Sequence, residues 1–271
     1  MTALLHESTP AASLLQEYLD FAVELATEAG ARSLGHFRQI EARRKDDGTL
    51  VTAADEEADR FISERIGARY PDHAVLSEEQ CTVYDPAVDF TWVVDPIDGT
   101  TNFARGMIIW GVSIGLLYQG YPLVGVLHMP LLAETYTAAV GMGAHRNGMP
   151  IHSALETEPG DQHLLMLCTR TAKQLQPQTP LKSRMLGSAA YHLVKVAEGS
   201  ALAGLESTPK VWDLAAGAVI LAEAGALLSL MDGGDVFPLP PEKRDYETQA
   251  FPIMTAANSG MRLHVVGSIE K

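Results

Sequence analysis

Residues 92–106 read WVVDPIDGTTNFARG. A β-branched apolar run ends at Asp95, meets Pro96, and sets a second carboxylate at Asp98 just ahead of Gly99-Thr100-Thr101. Burying one unpaired carboxylate is costly, and two close neighbours repel as well. Something cationic must neutralise them. Pro96 fixes φ and helps reverse the chain, so both side chains and the Ile97 carbonyl can face one point. A helix opening after Gly99 would offer free N–H groups and its positive end to an anion beside that cation.

Further carboxylates stand at element ends on either side of this stretch: Thr52-Ala-Ala-Asp55, Ser77-Glu78-Glu79 and Trp212-Asp213. An all-oxygen donor set suits Mg²⁺, a hard ion that takes carboxylates, water and substrate phosphate. The softer alternatives lack ligands, because the only cysteines are Cys81 and Cys168 and the histidines are scattered. Each residue alone has an ordinary reading. Asp-Gly is a common turn, a Glu pair is usually a solvated surface, and Asp213 reads as an N-cap for DLAAGAVILAEAG. Lys45 reads as a loop charge, Asp55 as a first-turn carboxylate, and His73, His128 and His192 as structural or surface groups. Asp95-Pro-Ile-Asp-Gly-Thr-Thr101 is different as a unit, since seven constrained positions rarely coincide by chance.

The chain has 271 residues, 46% hydrophobic and 20% charged, enough for one large domain or two halves on a continuous core. A net charge of −14 argues against a basic nucleic-acid-binding surface. Acidic substrates such as phosphate esters would then need a local cation. Two cysteines make no disulfide framework, which fits a reducing cytoplasm. No leader peptide or membrane-length apolar run is expected.

Leu15, Leu19, Ala22, Ala26, Ala29, Ser33 and Phe37 recur at helical spacing and predict a long amphipathic helix. Thr52 and Asp55 stand at capping-box spacing before a second helix through Ile66. HAVLS (73–77) and FTWVV (90–94) read as strands. IIWGVSIGLLY and YPLVGVLHM read as a hairpin around Gln119-Gly120, extended by TYTAAV and an Asn147-Gly148 turn. From about residue 160 strands and helices alternate: HLLMLC, SAAYHLVKVAEG, ALAGLE, DLAAGAVILAEAG, ALLSL. A soft boundary falls in 153–162, giving an N-terminal half (1–155) with the acidic motifs and a C-terminal half (156–271) that completes one compact unit. Residues 232–249 read as a loop-rich surface excursion.

Together these motifs resemble the inositol monophosphatase family of Mg²⁺-dependent, lithium-sensitive phosphatases. Asp95-Pro-Ile-Asp-Gly-Thr-Thr-Asn-Phe103 matches the family's central motif. Leu50-Val-Thr-Ala-Ala-Asp55, Ser77-Glu-Glu79, Gly187-Ser-Ala189, Trp212-Asp-Leu-Ala-Ala-Gly217 and the final helix's Glu223-Ala-Gly225 follow in order. Two positions depart from it: Ser77 stands where Gly is frequent, and Thr49 where Asp is usual. The resemblance implies an α/β, layered αβαβα sandwich with an antiparallel N-terminal sheet and a second C-terminal sheet. It implies that Glu78, Asp95 and the Ile97 carbonyl hold one metal, and that Asp95 bridges to a second completed by Asp98 and Asp213. Gly99 and Thr100 would bind phosphate oxygens, while Asp55 and the Thr100 hydroxyl orient the attacking water. Gly187, Ser188, Ala189 and Glu206 would line the alcohol portion of the substrate.

The implied activity is hydrolysis of myo-inositol monophosphate by metal-activated water with no covalent intermediate, in a cytoplasmic homodimer. Thr101-Asn102-Phe103 and Glu206 fit that branch. Histidinol phosphate and fructose 1,6-bisphosphate are alternatives on the same scaffold. A role in a transcription complex is the alternative of another class.

Overall fold

The computed structural model describes residues 10–39, 43–44 and 50–269. Helix α1 (Ala12–Leu34) buries Leu15, Tyr18, Ala22, Leu25, Ala26 and Ala29 on one stripe and stops at Gly35, short of Phe37. Two short strands, β1 (Arg43–Arg44) and β2 (Leu50–Val51), pair antiparallel. Lys45 and Thr49 lie outside the described residues. Helix α2 (Ala53–Arg69) opens with the expected capping box: Thr52 is the N-cap, and the Asp55 carboxylate reaches back to its backbone N–H at 2.8 Å.

A seven-stranded sheet follows. It contains β3 (Ala74–Ser77), β5 (Phe90–Asp98), β6 (Gly111–Tyr118), β7 (Tyr121–Met129), β8 (Glu134–Ala139), β9 (Ala144–Arg146) and β10 (Met149–Ile151). All its pairings are antiparallel except β3 with β5. The short β4 (Val83–Tyr84) stands outside it, and α3 (Thr100–Ala104) begins directly after β5. Gln119 and Gly120 both take positive φ in the β6–β7 hairpin, as Asn147 and Gly148 do between β9 and β10.

The second sheet holds β11 (Leu164–Leu167), β12 (Lys182–Arg184), β13 (Ala203–Glu206), β14 (Leu227–Leu230) and β16 (Ile253–Ala256), in the order β12-β11-β13-β16-β14. It is mixed: β11 is parallel to both neighbours, while β16 is antiparallel to β13 and β14. Helices α5 (Ala189–Ala197) and α6 (Val211–Glu223) lie between the sheets. Helices α1 and α2 cover the outer face of the first sheet, and α4 (Thr169–Gln174) and α7 (Ser259–Ile269) the outer face of the second. This is the αβαβα layering. α6 meets the first sheet backbone to backbone: a Cβ on Gly125 would lie 2.3 Å from the Ala216 carbonyl oxygen, and one on Gly115 2.8 Å from Ala215 Cβ.

Three expectations need correction. Helix α6 is not the last helix, because α7 follows β16. Asp213 is not its N-cap. The helix starts at Val211, and Asp213 sits one turn in, accepting the Lys210 backbone N–H at 2.6 Å. Residues 232–249 are more than a surface excursion, since Val236, Leu239 and Tyr246 are buried and β15 (Arg244–Asp245) pairs with β4. Among the described residues no helix is long and apolar enough to cross a membrane.

Candidate active site

Asp95 and Asp98 are three residues apart, and in a regular strand they would point to opposite faces. The β5–β6 register resolves this. Asp95 lies opposite Ser113 and Asp98 opposite Gly111, so β5 carries one extra residue at Pro96-Ile97. This bulge turns both carboxylates to the same side, and it is a place where Pro, lacking an N–H, does no harm to the ladder.

The one parallel pair brings in the next group. Ser77 pairs with Val94, and the Glu78 N–H donates to the Val94 carbonyl at 3.2 Å, so Glu78 emerges beside Asp95. Helix α6 supplies Asp213 from the inner layer. Oxygens of Asp95, Asp98 and Asp213 all lie within 4.8 Å of one another.

No described Lys or Arg makes an ion pair with these three carboxylates. Burial and repulsion from Glu78, Asp98 and Asp213 push Asp95 well above the usual carboxylate range. Burial and Asp213 push Asp98 up to about 7, against the hydrogen bonds that Ser188 Oγ and the Ala189 N–H (3.1 Å) donate to it. Asp213 is raised by burial. Such a set is electrostatically unfavourable alone and well matched to divalent cations, with hard oxygen donors and a carbonyl at Ile97 nearby.

Beside it, Thr100 Oγ lies 3.0 Å from Asp55 Oδ1 and 3.0 Å from the Ile97 carbonyl oxygen. Asp55 is fully buried. Its other oxygen accepts from the Thr52 N–H and hydroxyl, and burial raises its pKa. Gly99 (φ +90) and Gly187 (φ +80) let two loops meet here: a Cβ on Gly99 would come within 3.2 Å of the Gly187 carbonyl, and one on Gly187 within 2.9 Å of the Asn102 amide.

A side recess of about 480 Å³ opens from the acidic centre, a size typical of small-molecule sites. Gly187, Ser188, Ala189, Glu206 and Asp213 line it. Glu206 ends β13 and is only 3% exposed, so it is not a surface carboxylate. Burial pushes its pKa up to about 8. Glu78, Asp95, Ile97, Asp98, Gly99, Thr100 and Asp213 thus line one cleft, Ser188, Ala189 and Glu206 line the recess beside it, and Asp55 lies buried behind Thr100.

Sequence reasoning missed four residues of the site. His192 is buried against Glu206 at 2.6 Å, although it reads as structural or surface. Asp59, buried one turn after Asp55, accepts the Glu79 N–H at 2.9 Å; its i+4 spacing from Asp55 was the available signal. Arg105 and Arg170 line the cleft with no side-chain partner among the described residues, and nothing in their spacing marks them.

The family model for the inositol monophosphatase family matches residues 14–264. An inositol-1-monophosphatase of Synechocystis is 39% identical over 232 residues, 80% of each chain. A Pasteurella multocida protein named Nus factor SuhB is 34% identical over 229 residues, 80% of this chain and 86% of its own. A Thermotoga maritima fructose-1,6-bisphosphatase/inositol-1-monophosphatase is 31% identical over 221 residues, 79% of this chain and 85% of its own. The solved structure of a Thermotoga maritima IMPase superposes with a TM-score of 0.81 at 26% identity, over 94% of this chain and 97% of that one. The chain belongs to the inositol monophosphatase family.

Proposed function

We propose that this phosphatase-family chain is a Mg²⁺-dependent phosphomonoesterase that hydrolyses myo-inositol monophosphate. The observation that carries the reading is the convergence of Asp95, Asp98 and Asp213 within 4.8 Å, with the Thr100–Asp55 pair alongside. Glu78, Asp95 and the Ile97 carbonyl would hold one ion, and Asp95, Asp98 and Asp213 a second. Bound ions supply Lewis acidity for water and for the phosphoryl group. The chain's own residues do the rest. Gly99 and Thr100 hold phosphate oxygens at the start of α3. Asp55, whose Oδ1 accepts from Thr100 Oγ, takes the proton of the attacking water through that hydroxyl. Ser188, Ala189 and Glu206 face the departing alcohol, and the Glu206 oxygens accept hydrogen bonds from polyol hydroxyls.

The test is a panel of phosphate esters assayed with Mg²⁺ and with excess chelator, scored by kcat/KM. Inositol monophosphate should lead, and chelation should abolish all activity. Full activity in chelator would sink the mechanism. On the same panel, Glu206→Ala should lower kcat/KM for inositol phosphate by about 1–3 kcal/mol more than for a small aryl phosphate, the range for leaving a buried polar group without its partner. Parallel losses would place Glu206 in folding or catalysis instead.

Arg105 and Arg170 favour a second reading, a substrate with a second anionic group such as a sugar bisphosphate. A fructose 1,6-bisphosphate arm in the panel decides it. The relative named Nus factor favours a binding role besides catalysis, which should survive Asp213→Asn in a pull-down. Exposed Met107, Ile108 and Met185 support a homodimer, to be read by light scattering.

A further inference from the structure

His192, on α5, is 1% exposed and has a polar partner on each ring nitrogen. Nε2 lies 2.9 Å from the Leu186 backbone nitrogen, and Nδ1 lies 2.6 Å from Glu206 Oε1. A backbone N–H can only donate, so Nε2 must be the acceptor and the single ring proton must sit on Nδ1. The main chain thus dictates the tautomer. The ring is neutral and donates to Glu206. Burial, which lowers the ring's pKa to about 4, acts in the same direction.

The Leu186 peptide is gripped from its other side too. Its carbonyl accepts from Asn102 Nδ2 at 2.7 Å, and the same amide nitrogen donates its second hydrogen to the Ile109 carbonyl at 2.7 Å. Hydrogen bonds on the two sides of Leu186 therefore link α3, through that residue, to His192 and Glu206. The residues just after Leu186 are Gly187, Ser188 and Ala189, and the last two hold Asp98. The phosphate end and the alcohol end of the cleft are registered to each other through one imidazole.

We propose that His192 is the positioning residue that aims Glu206, fixing one carboxylate oxygen so that the group presents a set geometry to substrate hydroxyls. The inference rests on the polyol reading given above. It makes alcohol selectivity a property of the His192 Nδ1–H as well as of Glu206 itself, with the Leu186 N–H fixing the tautomer that supplies that proton.

Two near-isosteric variants separate the two arms of the ring. In His192→Asn an amide nitrogen takes the place of Nδ1, with nothing at Nε2. In His192→Gln an amide oxygen reaches the place of Nε2, with nothing at Nδ1. The readout is the ratio of kcat/KM for inositol monophosphate to that for 4-nitrophenyl phosphate, in Mg²⁺. The ratio should fall tenfold or more in His192→Gln, mainly through the inositol phosphate KM, and less than threefold in His192→Asn. Equal falls in both variants, or no fall in His192→Gln, would overturn the assignment.

If a variant fails to fold, long-range ¹H–¹⁵N spectra of the wild-type protein still decide. They should show His192 protonated on Nδ1 with a bare Nε2, and the opposite tautomer overturns the proposal. A wild-type ratio near one is a separate result: it removes the polyol reading, while the tautomer still judges the hydrogen-bond line.

Discussion

The Glu79 backbone N–H donates to Asp59 Oδ2 at 2.9 Å, so helix α2 holds the acidic loop that follows β3 by a side chain one turn beyond Asp55. Asp59 is fully buried, and its other oxygen accepts from Ser63 Oγ at 3.1 Å. Asp59→Ala leaves the Glu79 N–H without this acceptor and loosens the loop that carries Glu78. It should cost about 1–3 kcal/mol of stability, the range for losing a hydrogen bond to a carboxylate. It should also raise the Mg²⁺ concentration needed for half-maximal activity. Urea unfolding and a Mg²⁺ titration check both effects; an unchanged titration would mean that the loop is held without Asp59.

Neighbouring carboxylates should differ sharply. Glu78→Gln should cost far more activity than Glu79→Gln, because only Glu78 follows the Ser77–Val94 pairing to Asp95. Asp98→Asn and Asp213→Asn should lower kcat by on the order of a hundredfold, comparable to removing a main electrostatic stabiliser. Metal-free Asp213→Asn should melt no lower than wild type at pH 8, since one source of repulsion is gone. Equal losses at Glu78 and Glu79 would show the register to be wrong.

The raised carboxylates set a pH dependence. Asp98 at about 7 and Glu206 at about 8 bind protons more tightly folded than unfolded, where such groups titrate near 4. Where the folded state holds more protons, stability falls with rising pH. Their contribution is complete below about pH 4 and is lost as pH climbs through 7 to 8. The chelated protein should therefore lose Tm from pH 5.5 to 8. Mg²⁺ binds the deprotonated groups, so the Tm gain on adding it should grow over the same interval. Calorimetry at both pH values, with Mg²⁺ and with chelator, checks this. A gain larger at pH 5.5 would contradict it.

Gly125→Ala should damage the site from the far side of α6. Its Cβ would lie 2.3 Å from the Ala216 carbonyl oxygen, and a backbone atom cannot rotate away. Overpacking of this kind costs about 1–3 kcal/mol, occasionally more. Because Asp213 lies on the same helix, Mg²⁺ affinity should fall along with Tm. Loss of Tm with unchanged Mg²⁺ affinity would show that α6 yields without moving Asp213.

Much of this was legible in the sequence. The Thr52–Asp55 capping box and both two-residue hairpin turns are local signals and stand where expected, whereas Pro96, read as helping to reverse the chain, sits in a bulge inside β5, which runs on to Asp98. Unreadable parts depend on distant partners. His192 has no local pattern that announces Glu206 on another strand, and its apolar helical neighbours make it look like core filling. Residue type does not reveal that α6 starts at Val211, with Asp213 accepting the Lys210 backbone N–H from one turn inside the helix. Tyr246 and Leu239 are buried by Gly120 and β4, far away in the chain, so a segment rich in Pro, Gly and charge looked solvent-borne.

The bare contact between α6 and the first sheet has a mechanical meaning. Side chains packed between two elements can exchange rotamers and let the elements slide, whereas main chain resting on main chain works as a hard stop. At Gly115 and Gly125 the helix is seated against such a stop, so the seat of Asp213 is a fixed datum from which the rest of the cleft is measured. Core substitutions elsewhere can be absorbed by shifts in the outer layers, leaving the spacing between strand β5 and helix α6 unaltered.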